Sequence, residues 1–365
     1  MHVLQILHDR ERGGIQTLAA MIEEGLASHG IRVETAYLFP RPGLNKAAKF
    51  ACAASMAGRI LRGGFDALLA YQATASILVG TVGWLRGCPL RIVHQTCATM
   101  AMAAPIRLLD MLVGALGLYT ANIANSVATR AEFERYPPSY RRAMVLIEHG
   151  LDPPLPRQRR DKTRTRFNLP AGRPVLLNVG RLVDQKNQSV LVRALAQIPE
   201  AHLVIAGSGP DEDGLRALAS DLAVPDRLHL VGAVPPSDIA DLYAAADLFV
   251  FPSTWETFGL AAVEAAMLGL PMIVADIPVL REVLATDSEK PVAFIEPYDV
   301  GAWASAISGA LAGKPARSEQ FARDMTRKYS RERMIESYLA LLQADHLAPS
   351  RRGIAPPRPQ DQPLS

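Results

Sequence analysis

The chain has 365 residues, about two domains' worth at roughly 150 residues per domain, and 49% of them are hydrophobic, so each domain can bury a sizeable core. Its 39 Lys and Arg against 36 Asp and Glu leave a formal net charge of +3, and no basic run approaches a nucleic-acid stripe, so no nucleic-acid partner is expected. The three cysteines, Cys52, Cys88 and Cys97, are odd in number and lack metal-ligand spacing, which fits a reducing, cytoplasmic setting.

Val3 to Leu7 is a short strand entered directly, without a signal-peptide pattern. His8 to Gly14 follows, and then a helix with Ile15, Leu18, Ala19, Ile22 and Leu26 on one face, ending at Gly30. Gly13 and Gly14 read either as a bare turn or as a turn that lets a phosphate approach the helix N-terminus. They are not a G-x-G-x-x-G fingerprint, which argues against an NAD-type domain. Strands follow at βα spacing: Val33 to Phe39, Ala67 to Tyr71, Arg91 to His94, Ile123 to Ser126 and Val145 to Glu148. With helices between most of them, they indicate an α/β fold with a parallel, doubly wound sheet.

Between these strands, Lys46 to Arg62 is an alanine-rich helix mixing Lys46, Lys49, Arg59 and Arg62 with Phe50, Met56, Ile60 and Leu61. It reads as an ordinary packed surface helix or as one lying on an anionic membrane, a peripheral contact. Met100 to Tyr119, the nearest approach to a membrane span, is broken by Pro105, Arg107 and Asp110 and reads as a buried or interfacial helix. His94 ends the fourth strand, where α/β sheets place ligands, although a lone histidine there is more often structural.

After His149-Gly-Leu-Asp152 the composition shifts to Pro and Arg through Pro153 to Arg166, marking a domain boundary. Arg157 to Arg166 reads as a solvated linker. The second half restarts with the strand Val175 to Val179, the loop Gly180 to Lys186 and a helix from Gln188 to Gln197. Arg181 and Lys186, five apart on that loop, can converge on one diphosphate, or else are two solvated cations. His202 to Gly209 is a strand with a glycine turn, and Leu228 to Gly232 another strand; a flat base could lie against Gly207 and Gly232, or these are plain βα turns. Ile239 to Ala246 is a short helix.

The organising stretch comes next: the strand Leu248 to Phe251, an elbow from Pro252 to Thr257, Phe258-Gly259, and an alanine-rich helix ending at Gly269. Backbone N–H groups of Phe258, Gly259 and Leu260 at the helix start favour an anion. Glu256 in the elbow and Glu264 on the helix can hold two parts of one ligand. Ser253 to Glu256 also fits an S-x-x-E capping box, which would explain Glu256 alone. Pro271 to Asp276 is a further strand, Val279 to Leu284 a helix, and Ala285 to Val292 a loop. Trp303 to Leu311 and Arg331 to Leu342 are amphipathic helices, and residues from about Pro349 form a disordered tail.

The stretch F-P-S-x-x-E-T-F-G-L-x-x-x-E-A-x-x-x-G-x-P, with G-R-L-x-x-x-K at Gly180 to Lys186, resembles the retaining GT-B glycosyltransferases of the family 4 type. The resemblance is strong from Gly180 to Pro271 and weak before Gly150. It implies two Rossmann-like domains facing across a cleft: residues 1–152 on the acceptor side and 153–328 on the nucleotide-sugar side. A helix over 329–348 would cross back to the first domain, ahead of the tail 349–365. It further implies transfer of a sugar from a UDP- or GDP-sugar to a glycan or lipid-linked acceptor, with retention of configuration and no metal.

On the residues that match, Arg181 and Lys186 take the diphosphate, aided by backbone at Gly13, Gly14, Phe258, Gly259 and Leu260. Glu256 takes the sugar hydroxyls, Glu264 the ribose, and His94, in Ile92-Val-His94, a place near the anomeric centre. The sequence departs from the family at Gln95, where many relatives carry an acid, and at His149, which replaces the Asn of N-G-[IV]-D. A nucleotide-sugar epimerase of the same fold and a non-catalytic scaffold are the alternatives.

Overall fold

The computed structural model describes residues 1–10, 13–41, 43–287, 291–314 and 316–344, so the tail expected from Pro349 lies outside the described residues. The first half alternates β1 (His2–Leu7), α1 (Gly14–Ser28), β2 (Arg32–Tyr37), α2 (Lys46–Arg62), β3 (Ala67–Tyr71), α3 (Ala73–Arg86), β4 (Leu90–Gln95) and α4 (Ala104–Ala115). It closes with β5 (Ala121–Ala124), α5 (Val127–Ala131), α6 (Pro138–Arg142) and β6 (Met144–Leu146). These strands form one parallel sheet in the order β2-β1-β3-β4-β5-β6.

The second half runs α7 (Arg160–Arg166), β7 (Val175–Val179), α8 (Gln188–Leu195), β8 (His202–Ala206), α9 (Glu212–Asp221), β9 (Leu228–Leu230), α10 (Pro236–Ala245) and β10 (Leu248–Phe251). Then come α11 (Leu260–Met267), β11 (Met272–Ala275), α12 (Pro278–Val283), β12 (Val292–Ile295), α13 (Val300–Ala312), α14 (Glu319–Lys328) and α15 (Arg331–Gln343). Its sheet, again parallel, has the order β12-β11-β10-β7-β8-β9. The molecule is therefore α/β with two doubly wound sheets.

The strands are short apolar runs because helices cover both faces: β3, β10 and β11 are buried along their whole length. Strand order reverses between β1 and β3 in the first sheet and between β7 and β10 in the second. Loops leaving the strands at such a reversal diverge and open a crevice at the sheet edge. Gly13 and Gly14 follow β1, while Arg181 and Glu256 follow β7 and β10. Both sets of sequence-marked loops thus stand at switch points.

The end of the chain ties the second half to the first. Leu151 N–H donates to the Tyr329 carbonyl at 2.8 Å, and α15 then lies on α1. Gly25 makes room there, since a Cβ on it would sit 2.4 Å from Ile335 Cδ1. Arg331 reaches Glu24 at 2.8 Å and Asp152 at 3.0 Å.

The structure departs from the sequence reading in several places. Arg157 to Arg166 is not a solvated linker. Residues 160–166 are helix α7, and Arg164 is buried, donating to the carbonyls of Ala245, Pro170 and Arg173 and pairing with Asp247 at 2.7 Å. The guanidinium fork satisfies the last carbonyl of α10 and two in the loop before β7, which an arginine run does not advertise. The sixth strand ends at Leu146, two residues before the expected Glu148, and α14 was not anticipated. Among the described residues no helix is long and apolar enough to cross a membrane.

Candidate active site

The loops after β7, β8 and β9 are stitched into one surface. Gly180 N–H donates to Ala206 O at 3.0 Å, Leu182 N–H to Ser208 O at 3.0 Å, and Gly207 N–H to Gly232 O at 2.8 Å. Gly207 has φ +154°, and a Cβ there would lie 1.9 Å from the Gly180 carbonyl oxygen; one on Gly209 would lie 2.2 Å from that of Leu182. Glycine is needed at both because two backbones cross there. Gly232, at φ +71°, has open space around it.

The β7 loop is also fastened to the elbow after β10. Thr254 N–H donates to Gln185 O at 2.9 Å, and Gln185 Nε2 returns a bond to Trp255 O at 2.9 Å. Asn187, in the left-handed region at φ +49°, donates to Pro297 O at 2.7 Å. This frame brings Lys186 onto Glu256, where Nζ and Oε1 form an ion pair that leaves the side chains only 16% and 9% exposed. The ammonium also stands 5.0 Å from the centre of the Phe251 ring. Arg181 is exposed, and its side chain makes no hydrogen bond or ion pair among the described residues. A fixed Lys–Glu pair and one free guanidinium therefore stand over the switch point.

The capping box is not formed. Ser253 Oγ is buried and unpartnered, and the helix begins only at Leu260, so Ser253 is too far upstream to cap it. Gly259 takes φ +89° to turn the chain into α11, with no side chain capping it. The N–H groups of Phe258, Gly259 and Leu260 have no acceptor among the described residues. They stand beside the Lys186–Glu256 pair as free donors at the positive end of a helix dipole.

Glu264 lies one turn into α11, partly exposed, with Tyr243 Oη 2.9 Å from its Oε2 and 3.0 Å from the Ala261 carbonyl. A phenol has one proton to donate. The tyrosine hydroxyl therefore shares its one proton between Glu264 Oε2 and the Ala261 carbonyl. Burial pushes the Glu264 carboxyl up to about 7, against the pull of the Tyr243 bond.

The first domain meets this surface directly. A Cβ on Gly14 would lie 2.7 Å from Leu260 Cδ1, so the start of α1 faces the start of α11. Gly13 caps α1 in an extended conformation that any residue adopts. After β5, Ser126 Oγ and Thr129 Oγ1 both donate to the Thr257 carbonyl, at 3.0 and 3.1 Å, and Asn125 Nδ2 donates to Thr257 Oγ1 at 3.1 Å. The Glu282 carboxylate of α12 accepts the Val127 and Ala128 N–H groups at 2.6 and 2.7 Å. Thr257 is thus gripped from across the cleft, between Glu256 and the free amides. None of these partners was found from the sequence, which placed Ser126 only at the end of a strand.

His94, expected near the anomeric centre, has both ring nitrogens engaged within the protein. It is buried, stacked on Tyr71 at 4.2 Å, with Nδ1 2.8 Å from Ala70 O and Nε2 2.7 Å from Tyr338 Oη. A carbonyl only accepts, so Nδ1 carries the proton and Nε2 accepts from the tyrosine. Burial lowers the ring to about 4, and it is neutral at pH 7. Both nitrogens are engaged, and neither is open to a ligand in this conformation. Tyr338 arrives from α15, 244 residues away, so no local pattern could disclose it.

Residues 159–332 match the family model described as glycosyl transferases group 1. Among curated relatives, a D-inositol 3-phosphate glycosyltransferase of Mycolicibacterium smegmatis is 32% identical over 187 residues, 50% of this chain and 42% of that protein. One of Catenulispora acidiphila is 36% identical over 171 residues, 43% of this chain and 40% of that protein. The chain thus matches less than half the length of these relatives. Among solved structures, Anabaena Alr3699/HepE in complex with UDP-glucose has a TM-score of 0.79 at 19% identity, covering 94% of this chain and all of that one. Sucrose-phosphate synthase from Thermosynechococcus elongatus has 0.75 at 22% identity, covering 93% and 98%. These likenesses establish the GT-B fold.

Proposed function

We propose, for a chain whose residues 159–332 match the family model described as glycosyl transferases group 1, that it transfers a sugar from a nucleoside diphosphate to an acceptor hydroxyl with retention of configuration. One observation carries the reading. At the switch point of the second sheet, a free guanidinium, a Lys–Glu pair and three unpartnered amides converge on the cleft opposite Gly14. A diphosphate suits the cations and amides. Glu256 Oε2, which has no partner among the described residues, suits sugar hydroxyls, and Glu264 suits the ribose. In this reading Arg181 and Lys186 neutralise the leaving diphosphate without a metal. Among the described residues no second carboxylate stands as a nucleophile, so in this reading the acceptor attacks from the face the leaving group departs. A glycan or lipid-linked hydroxyl compound at the cytoplasmic membrane face is the acceptor class we favour.

The test is thermal stabilisation by UDP, GDP, ADP and their sugar conjugates. A ligand at a hundredfold its Kd adds about 2.7 kcal/mol. One nucleotide should raise the midpoint of the wild type and fail to do so for Arg181→Ala and Glu264→Ala. No shift with any nucleotide would overturn the donor-site assignment. Release of free nucleotide from the sugar conjugate only when acceptor is present is expected for transfer.

A further inference from the structure

We infer that the face of the first domain built by α2, α3 and α4 is a docking surface for an anionic lipid bilayer. The observations behind it are independent of the donor site. Nine of the thirteen large hydrophobic side chains exposed among the described residues fall between Phe50 and Leu116, whereas the second domain shows only Leu155 and Tyr298. On α4 and its C-cap they are Leu108, Leu109, Leu112 and Leu116, a single stripe at helical spacing. Trp84 and Leu85 occupy the last turn of α3. A Cβ on Gly80 would lie 2.7 Å from Val113 Cγ1, so the helices touch closely and their last turns stand side by side. Phe50 and Leu61 continue the set on α2, which packs on α3.

Charge selects the occupant. Lys46, Lys49 and Arg62 stand on α2, where Arg59 is paired with Glu34 at 2.9 Å, with Arg86 on α3 and Arg107 on α4. The three helices carry one carboxylate, Asp110. It is buried, taking hydrogen bonds from the Tyr119 and Tyr140 hydroxyls at 2.7 and 2.6 Å, and presents no charge at the surface. A face of exposed leucines and one tryptophan, edged by the cations of its own helices, which carry no exposed acid, complements acyl chains beneath anionic headgroups. A protein partner would have to offer a flat apolar surface ringed only by acids. The opposite side of the sheet is filled by α1 and α15, and the cleft opens at the strand ends, so docking through α2–α4 leaves the donor site accessible.

The test is co-sedimentation of the full chain with phosphatidylcholine vesicles, with and without phosphatidylglycerol. The chain should pellet with the anionic vesicles, and should be released by salt. Leu109→Glu with Leu112→Glu should abolish pelleting, and Lys46→Glu with Lys49→Glu should weaken it at least tenfold, each lost charge counting for about fivefold. Of the three tryptophans, Trp303 is fully buried and Trp255 lies in the elbow of the second domain, so a blue shift of fluorescence on vesicle binding that disappears in Trp84→Phe would locate the contact. Nucleotide stabilisation retained in the variants shows that they fold, and keeps a failure here separate from a failure of the donor site. Equal partition onto neutral vesicles, or indifference to both pairs of substitutions, would overturn the proposal. So would a dimer in light scattering, without vesicle binding, that Leu112→Glu dissociates.

Discussion

Glu264 shows how a single position couples protonation to both stability and ligand. Its carboxyl is raised in the fold to about 7 from an ordinary value of 4.5, so the folded chain holds this proton more tightly than the unfolded one. The resulting contribution is complete below pH 4.5 and lost as pH climbs through about 7, up to about 3 kcal/mol in all. Urea denaturation from pH 4.5 to 8 should show wild-type stability falling relative to Glu264→Gln by an amount of that order. An unchanged difference would mean that Glu264 is ionised throughout. If the carboxylate is the form that accepts ribose hydroxyls, wild-type UDP affinity should also rise through pH 7 relative to the glutamine variant. The spacing of Glu256 and Glu264 was legible in the sequence. Tyr243, which shares its proton with Glu264, was not, because it lies on α10 and reaches α11 only by packing.

At the scale of elements, α15 completes the first domain. Its Tyr338 gives its hydroxyl proton to His94 Nε2, and Tyr71, stacked on the same ring, donates to Gln5 Oε1 at 2.6 Å. Tyr338→Phe would leave a buried acceptor unpaired, at a cost of about 1–3 kcal/mol. The urea midpoint should fall accordingly, and a variant as stable as wild type would show that water or rotation satisfies the histidine. That the last helix returns to the first domain was an expectation drawn from resemblance. Its anchors, Ile335 against Gly25 and Arg331 between Glu24 and Asp152, became visible only in three dimensions.

Across the whole molecule, the two domains are joined by a polar latch as well as by the crossing helix. Glu282 receives two amides of α5, and the β5–α5 turn in turn grips Thr257. Charge-assisted bonds of this kind are roughly twice as strong as neutral ones. Glu282→Ala should loosen the closed arrangement, raising the radius of gyration in solution scattering and weakening UDP binding by about tenfold, the equivalent of about 1.4 kcal/mol. An unchanged radius together with unchanged affinity would show that α15 alone sets closure. Both sheets and most of their helices, α7 and α14 apart, were readable from alternating apolar runs, since period and punctuation are local properties.

What the sequence determined by itself is the alternation of strand and helix and the identity of the chemical groups in the two loop motifs. Each follows from neighbours within about ten positions of one another. Only the tertiary structure decided that Lys186 holds Glu256, that Gly207 is shaped by a crossing backbone, and that His94 is closed off by Tyr338. It alone showed the leucines of α4 left uncovered beside the cations of α2. Those outcomes depend on which distant surfaces pack together. Packing of that kind is set by the sum of many contacts across the chain, which no spacing along it records.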